Sequence, residues 1–406
     1  MNSDLELAVY DLSPLPEGAI PEGLSREEEE KRRAELLATN PNTKFSRNIC
    51  KILGIKPSEV DIKKFKDGET DPEIKESVRN KKIFVFQSYI DPLGERKYEL
   101  ELFLDGVIWG GSHKNGPVVV FPYAFGARGE RRTEPRKAAP TLVWARSLGV
   151  FGAETLLTGA IHAESVEMVY NACGVYFEDL EFRAVAANYI LRNYQDKERV
   201  AVLSPDEGGA KRVRKIENFL NYDGEGKVRD IEGLEDLTLN IKSGSADKIR
   251  KKDDEVESAD LSISVDGYDV IIIDDIGDTL GTLETAATNC RNGGAKSVRA
   301  FLFHPSLGKG YEEKMKEMFD KGIVDEIILG NTVPIKDYAR NHPQVKVLPL
   351  EPLYAEAITR IHHNLSISEL HTYEGVMEIY DKARHLFKGD PKYVKIGRIK
   401  LPTLDS

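Results

Sequence analysis

The stretch DVIIIDDIGDTLGTLETAAT, residues 269–288, organises the fold of the second half of the chain. Residues 270–273 are β-branched without interruption, which predicts a strand buried on both faces. Residues 283–288 change to a helix-compatible pattern, so the strand passes into a helix through residues 274–282. Strand–turn–helix units of this kind build mostly parallel α/β sheets.

The turn inside this stretch has the composition of an anion-binding loop. Gly277 and Gly281 lie at its bends, and threonine and aspartate stand at the helix start. This pattern leaves backbone N–H groups free to face a phosphate, helped by the helix dipole. Asp274 and Asp275 would repel that phosphate, so we expect them to hold ribose hydroxyls or a divalent cation. The alternative is an ordinary strand–turn–helix with a solvated acidic turn.

Composition limits the class of protein. The 406 residues suffice for two core-bearing domains with extensions. Lysine and arginine number 57 against 68 aspartates and glutamates, and the net charge of -11 leaves no basic surface for nucleic acid. No apolar run has the length of a membrane span and the first residues lack a secretory signal pattern, so we expect a soluble cytoplasmic protein without membrane contact. Cys50, Cys173 and Cys290 form no CxxC pair, which indicates neither a disulfide framework nor a structural zinc site.

Strands alternate with helices along the chain, which predicts a mostly parallel sheet covered by helices on both faces. The alternation restarts after Cys173, so we predict an α/β protein with two similar domains. The predicted parts are an N-terminal extension (1–35), a first domain (36–173, completed by 355–370), a second domain carrying the phosphate loop (174–354) and a C-terminal extension (371–406).

Two stretches are predicted to be irregular. Residues 1–34 are interpreted as a loose Pro/Gly lead-in followed by a charged surface helix, with Ser25 as its N-cap and Glu28 completing a capping box. A short strand is predicted from Leu36. Residues 221–260 are hydrophilic and rich in glycine, which predicts a long mobile loop of the kind that often forms a lid.

The turn at residues 274–282 resembles the ribose 5-phosphate loop of type I phosphoribosyltransferases and phosphoribosyl pyrophosphate (PRPP) synthetases. Further stretches resemble those of PRPP synthetases and follow the same order, from about Leu36 to Leu370. They are FKDGE (65–69), ARGER (127–131), IHA (161–163), SPDEGGAKR (204–212) and NTVPIKDYARNHPQVKVLPLEPLYAEAITRIHHNLSIS (331–368). Their joint order makes the resemblance specific to this family, which has a phosphoribosyltransferase-like fold.

The resemblance implies a ribose-phosphate diphosphokinase. Such an enzyme transfers the β,γ-diphosphate of MgATP to the C1 hydroxyl of ribose 5-phosphate, giving PRPP and AMP, and it serves nucleotide biosynthesis. Two polyanions must meet, so the reaction needs metal and basic side chains. By resemblance, the residues that bind ribose 5-phosphate are Asp274, Asp275, Asp278, Thr279, Gly281 and Thr282.

The resemblance also assigns the nucleotide, the metal and the catalytic groups. Phe65 stacks on adenine, Asp67 and Glu69 recognise its edge, and Arg128 covers its other face; Glu130 belongs to the same ATP-binding set. His162 and Asp206 help to place Mg²⁺ on the ATP phosphates. Histidine is an unusual ligand for this oxygen-preferring ion, and a turn-capping role is its alternative.

Lys248 and Arg250 correspond to the family's KxR pair on a catalytic loop that closes over the diphosphate. The alignment crosses an insertion there, so Lys251 and Lys252 are nearby alternatives, and a solvated charged loop is the bland interpretation. In the family the stacking phenylalanine comes from a neighbouring subunit. The resemblance therefore implies a homo-oligomer built from dimers, such as a hexamer.

The chain also departs from the family pattern. Gly129 and Glu130 replace the Gln and Asp of ARQDR, Ala160 replaces the aspartate of DLHA, and residues 124–126 are inserted. These changes keep one alternative open, a catalytically impaired regulatory subunit with this fold. The phosphate loop by itself leaves a second alternative, a phosphoribosyltransferase that consumes PRPP. A phosphoribosyltransferase would leave the FKDGE, ARGER and IHA stretches without a purpose.

Overall fold

The structure, a computed structural model, describes residues 5–13, 25, 28, 31–32, 35–36, 40–112, 116–194, 198–220, 241–248, 259–386 and 392–394. The chain divides into two compact units. Unit 1 comprises residues 1–180, 332–334 and 354–367, and unit 2 comprises residues 181–331, 335–353 and 368–406. The four-part division drawn from the sequence stays a prediction.

Unit 1 is built on a five-stranded sheet in the order β1-β4-β5-β6-β7, in which every pairing is parallel. Parallel strands buried under helices explain the apolar runs in β4, β5 and β6. Its elements are β1 (Glu6–Asp11), helix Lys44–Leu53, β2 (Val60–Lys64), β3 (Thr70–Ile74), β4 (Lys81–Phe86), helix Leu93–Trp109, β5 (Val118–Val120), helix Pro140–Val150, β6 (Thr155–Gly159), helix Ser165–Ala172 and β7 (Tyr176–Leu180).

Strand β1 corrects the interpretation of the N-terminal segment as a loose lead-in. Ala8, Val9 and Tyr10 are buried, and β1 pairs in parallel with β4. This strand was not predicted, because the apolar run of β1 is short and lies between acidic residues and a Pro/Gly segment. The strand predicted from Leu36 is also wrong, since Leu36 is helical. The predicted capping box is confirmed, because the backbone N–H of Ser25 donates to the Glu28 carboxylate at 2.9 Å.

Strands β2 and β3 form a separate antiparallel hairpin. Its residues Val60, Ile62 and Ile74 pack against the hydrophobic core of unit 1. The hairpin turn between them, residues 65–69, is the predicted FKDGE turn.

Unit 2 is built on a seven-stranded sheet in the order β10-β9-β8-β11-β12-β13-β14. All pairings are parallel except β9 with β10, so the predicted α/β class with mostly parallel sheets is confirmed. Its elements are helix Arg183–Tyr194, β8 (Val200–Ser204), helix Ala210–Leu220, β9 (Ile241–Lys248), β10 (Ala259–Leu261), β11 (Asp269–Ile276), helix Gly281–Asn292, β12 (Ser297–His304), helix Tyr311–Asp320, β13 (Glu326–Gly330), helix Asp337–Asn341, β14 (Val345–Leu348) and helix Tyr373–Ala383. The helix Glu351–His362 begins in unit 2, and from residue 354 onward it belongs to unit 1.

The predicted long loop at residues 221–260 is wrong where the structure describes it. Residues 241–248 form β9, which pairs in parallel with β8 and antiparallel with β10. The sequence of β9, IKSGSADK, consists mostly of small and charged residues. It therefore lacks the apolar pattern by which strands are predicted. The rest of the predicted loop lies outside the described residues.

The core prediction for β11 is confirmed. Val270, Ile271 and Ile272 are 0% exposed and Ile273 is 1% exposed, as expected for a strand covered on both faces. β11 lies between β8 and β12 in the middle of the sheet. Residues at its carboxyl end therefore stand at the edge where parallel α/β sheets bind ligands.

The C-terminal helix Tyr373–Ala383 packs on unit 2 with Val376, Tyr380 and Ala383 buried and Ile379 partly buried. The Tyr380 hydroxyl donates to the carbonyl of Pro349 at 2.6 Å. Val347 of β14 pairs with Tyr393 in a parallel bridge, so residues 392–394 lie along this edge strand of the sheet. Among the described residues, no helix combines the length and apolarity that crossing a membrane would require.

Candidate active site

The turn after β11 begins later than the sequence predicted. β11 runs to Ile276, so Asp274 and Asp275 are the last part of the strand rather than of the loop. Asp275 is buried and Asp274 is partly buried. The turn proper is therefore Gly277 to Leu280, and the two carboxylates lie at the carboxyl end of the central strand.

This turn is held by the segment that follows β12. The N–H of Gly277 donates to the carbonyl of His304 at 3.0 Å, and the N–H of Leu307 donates to the carbonyl of Gly277 at 2.9 Å. The N–H of Gly308 donates to Oδ1 of Asp278 at 3.1 Å. A Cβ on Gly308 would clash with this Asp278 carboxylate, which explains the glycine. Asp278 therefore braces two neighbouring loops.

The helix Gly281–Asn292 begins with the features of an anion site. Leu280 adopts a left-handed conformation with φ 64°, and the first backbone bond runs from the Glu284 N–H to the Leu280 carbonyl at 2.9 Å. The N–H groups of the first turn lie ahead of this bond and have no partner within the helix. A Cβ on Gly281 would meet open space, the nearest atom being Oγ1 of Thr279 at 3.9 Å. Thr279 is exposed and Thr282 partly buried.

Arg212 holds the carboxylate pair at the end of β11. Its Nη2 lies 2.9 Å from Oδ2 of Asp275, and its Nη1 lies 3.8 Å from Oδ1 of Asp274. Burial raises the pKa of Asp274 well above its ordinary value, neighbouring Asp275 raises it further, and Arg212 opposes both effects. Arg212 lies in the SPDEGGAKR stretch, but no role was predicted for it from the sequence. The available signal was its position six residues after Asp206.

Asp206 follows β8, the strand beside β11, and its side chain is exposed. Its Oδ1 accepts from the N–H of Gly209 at 3.0 Å, which caps the short 3-10 helix Glu207–Gly209. The Asp206 charge contributes to the raised pKa of Asp274, so the two carboxylates sense each other at this sheet edge. The structure brings Asp206 together with Asp274 and Asp275.

The predicted adenine-binding residues occupy the tip of the β2–β3 hairpin. Phe65 is 52% exposed, so it is not a core phenylalanine. Oδ1 of Asp67 accepts from the N–H of Glu69 at 3.1 Å, and the N–H of Phe65 donates to the Glu69 carbonyl at 2.7 Å. Gly68 has φ 94°, which favours glycine at this bend. Two hydrogen bonds thus define the turn, and its aromatic ring is exposed.

Arg128 and Glu130 lie in the loop after β5. Arg128 is exposed, whereas the Glu130 side chain is 10% exposed and lies 3.5 Å from Nε of Arg131. Gly129 between them departs from the family glutamine for a local reason. A Cβ there would stand 2.6 Å from Cδ of Pro140, the first residue of the following helix.

His162 lies in the loop after β6 and is exposed. Ala160, two residues earlier, adopts φ 45°, a left-handed conformation that strains a residue with a Cβ. The N–H of Ala160 donates to the Leu180 carbonyl at 3.1 Å, and the N–H of Ile161 donates to Oδ1 of Asp179 at 3.4 Å. These two hydrogen bonds attach the loop to β7 at Ala160, the position of the family's aspartate, and at the next residue.

Lys248 is the last residue of β9, where its backbone pairs with that of Ala259. Arg250, Lys251 and Lys252 lie outside the described residues. In the part of the chain that the structure describes, no group of three or more His, Cys, Asp and Glu residues could hold a metal ion. The exposed carboxylate of Asp206 nevertheless suits Mg²⁺, because this ion takes one or two carboxylates and completes its shell with water and phosphate oxygens.

Comparison with known proteins gives concordant matches. The family model described as the N-terminal domain of ribose phosphate pyrophosphokinase matches residues 34–152. The model of the phosphoribosyl synthetase-associated domain matches residues 250–372.

Two full-length relatives match most of the chain. The ribose-phosphate pyrophosphokinase of Campylobacter jejuni is 30% identical over 340 residues, covering 84% of this chain and 99% of the relative. That of Helicobacter hepaticus is 31% identical over 342 residues, with the same two coverages, 84% and 99%. The crystal structure of phosphoribosylpyrophosphate synthetase from Mycobacterium smegmatis has a TM-score of 0.69 at 21% identity, covering 88% of this chain and 99% of that one, which shows a shared fold.

Proposed function

The chain belongs to the ribose-phosphate pyrophosphokinase family, and from this premise we propose that it makes PRPP from ATP and ribose 5-phosphate. The C1 hydroxyl oxygen of the sugar attacks the β-phosphorus of ATP and loses its proton. The bond between the β-phosphorus and the oxygen that bridges it to the α-phosphorus breaks, and AMP leaves. The enzyme is thus a transferase of nucleotide biosynthesis.

One observation carries the sugar-binding half of this proposal. An open helix N-terminus at Gly281 and a carboxylate pair at Asp274 and Asp275 stand at the two ends of one short turn. The amides suit the 5-phosphate. The carboxylates suit the ribose hydroxyls, which are hydrogen-bond donors. Thr279 and Thr282 add hydroxyls to the phosphate end, and Asp278 keeps the turn in place.

The exposed Phe65 carries the nucleotide-binding half. We propose that its ring stacks on adenine while Asp67 and Glu69 orient the purine edge, as the resemblance implies. Arg128 covers the opposite face as a cation on a π-system, and Glu130 belongs to the same ATP-binding set. Because Phe65 acts on a neighbouring subunit in the family, a homo-oligomer built from dimers belongs to the proposal, as does a cytoplasmic location.

Mg²⁺ is the cofactor that this proposal requires. Asp206 would hold it together with the ATP phosphates, and His162 would help to orient it through water, since imidazole is a poor ligand for this ion. When bound, the ion supplies positive charge to the diphosphate. Lys248 and Arg250 would supply the remaining positive charge where it is needed as the diphosphate transfers.

The deciding experiment incubates the purified protein with ribose 5-phosphate, ATP and Mg²⁺ and separates the nucleotides. AMP formed in step with PRPP is the expected result. ADP would indicate a simple kinase and would contradict the proposal. Absence of turnover, combined with stimulation of an authentic synthetase, would identify a regulatory subunit, and turnover that needs PRPP and a base would identify a phosphoribosyltransferase.

A further inference from the structure

We propose that Lys309, in the segment that follows β12, binds the 5-phosphate of the sugar and makes the site selective for phosphorylated pentoses over free ones. This inference rests on the proposed function, because it assigns a further residue to the ribose 5-phosphate site. Three observations support it: a shortage of positive charge at the turn after β11, a hydrogen-bonded link between that turn and the Lys309 segment, and the availability of the Lys309 side chain.

The turn after β11 lacks the charge that a sugar phosphate needs. Residues 269–288 contain five acidic residues and no lysine or arginine. A phosphate monoester carries about -1.5 to -2 charges at neutral pH, whereas a helix N-terminus offers roughly half a positive charge. Arg212, the cation beside Asp275, is already in contact with that carboxylate. A phosphate bound at Gly281 therefore calls for a further cation from a neighbouring element.

The segment after β12 is fastened to this turn by three hydrogen bonds besides the Gly308–Asp278 side-chain contact. They are Leu307 N–H to the Gly277 carbonyl at 2.9 Å, Gly308 N–H to the Asp278 carbonyl at 3.1 Å, and Ser306 Oγ to the Gly277 carbonyl at 3.3 Å. Leu307 adopts φ 46°, a left-handed conformation that is unfavourable for a leucine and marks a constrained bend. Lys309 directly follows Gly308, the residue that is hydrogen-bonded to Asp278. The backbone of Lys309 therefore lies next to the turn after β11.

Lys309 is available, whereas its neighbouring cations are engaged. Its side chain is exposed, and no carboxylate within the described ranges lies at ion-pair distance from it. Lys314 is paired with Glu284, and Nζ of Lys336 lies 5.6 Å from the centre of the Tyr311 ring. A lysine carries its charge on a flexible four-carbon stem. Lys309 can therefore serve as a point charge for phosphate at the start of the helix Gly281–Asn292.

The test compares the binding of two sugars by calorimetry, ribose 5-phosphate and ribose, to the full-length protein. Lys309→Ala is expected to weaken ribose 5-phosphate binding by about tenfold or more and to leave ribose binding unchanged, because only the phosphate contact is lost. Lys309→Arg is expected to retain most of the affinity. Lys316→Ala is the matched control, since Lys316 is exposed on the next helix and paired with Asp320.

Unchanged ribose 5-phosphate affinity in Lys309→Ala would overturn the inference. An equal loss for ribose and ribose 5-phosphate would also overturn it, because it would indicate a disturbed loop rather than a lost phosphate contact. Binding is measured without turnover, so the result is separate from the proposed activity. A protein that formed no PRPP but lost ribose 5-phosphate binding in Lys309→Ala would refute the proposed function and retain this site.

Discussion

Nη2 of Arg212 lies 2.9 Å from Oδ2 of Asp275, and the Asp275 side chain is only 5% exposed. This contact joins the helix after β8 to the end of β11, the two neighbouring strands that carry Asp206 and the carboxylate pair. Adjacent buried carboxylates repel each other, so a cation between them is what allows both to stand at the sheet edge. The geometry of the proposed sugar site therefore depends on a residue that need not touch the sugar.

Replacing Arg212 by alanine is expected to lower the free energy of unfolding by about 2 kcal/mol, because Asp275 would remain buried without its partner. The Arg212 side chain is 23% exposed, which keeps the loss below that of a fully buried pair. Urea denaturation measures the change. Arg214→Ala, an exposed arginine on the same helix, is the control and should change the midpoint little. Equal midpoints for the two variants would refute a stabilising role for the Arg212–Asp275 pair.

Gly308→Ala is expected to weaken ribose 5-phosphate binding by about tenfold while ATP binding stays the same. The new Cβ would clash with Oδ1 of Asp278 and push apart the two loops that Asp278 joins. Dissociation constants for the two substrates, measured separately, test this expectation. Gly94→Ala is a suitable control, since a Cβ there meets no atom within 4 Å and its φ is ordinary. A parallel loss of ATP binding would point to general damage of the fold.

Lys248→Ala is expected to lower kcat by several orders of magnitude with little change in ribose 5-phosphate affinity. The proposed role of Lys248 is to stabilise charge that develops only as the diphosphate transfers, so ground-state binding of the sugar does not use it. Steady-state kinetics and calorimetry separate the two quantities. Lys242→Ala, on the same strand with its Nζ 5.6 Å from the Tyr268 ring centre, serves as the control. Losses of similar size in kcat and in sugar affinity would place the catalytic lysine elsewhere.

The free energy of unfolding is expected to depend on pH through the ionisation of Glu99 in unit 1. Burial raises the pKa of Glu99 from 4.5 to about 7. The charge of Arg96, whose Nη1 lies 2.5 Å from Oε2 of Glu99, opposes this shift. Between these two values the folded state binds more protons than the unfolded state, so the free energy of unfolding falls as pH rises. At pH 8 the raised pKa of Glu99 therefore lowers the free energy of unfolding by about 3 kcal/mol at most.

Glu99→Gln removes this ionisation and should therefore stabilise the protein relative to wild type more at pH 8 than at pH 5. Urea denaturation of both proteins at the two pH values measures the difference. Parallel curves, with the same gap at pH 5 and pH 8, would mean that Glu99 titrates near its ordinary value in the folded state.

Local sequence was sufficient for the elements whose pattern is continuous. The run of β-branched residues in β11 predicted a doubly covered strand, and the resemblance of FKDGE to a family motif indicated the turn at which Phe65 is exposed. β9 was not predicted because it has few apolar residues, and β1 was not predicted because its apolar run is short and lies between acidic residues and a Pro/Gly segment. Each strand is stabilised by parallel pairing with another strand, and the partner of β1 is distant in sequence. Propensity alone cannot register such pairing.

The sequence by itself determined the α/β class and the family, and it indicated the types of residue around the proposed sugar site, because these depend on periodicity and on motifs within a few positions. Only the tertiary structure decided that Arg212 neutralises Asp275, 63 residues away in the numbering, and that Gly308 holds Asp278 across 30 residues. Parallel strands bring their carboxyl ends to one edge whatever the length of chain between them. Contacts made at that edge are therefore set by strand order, which no local stretch of sequence contains.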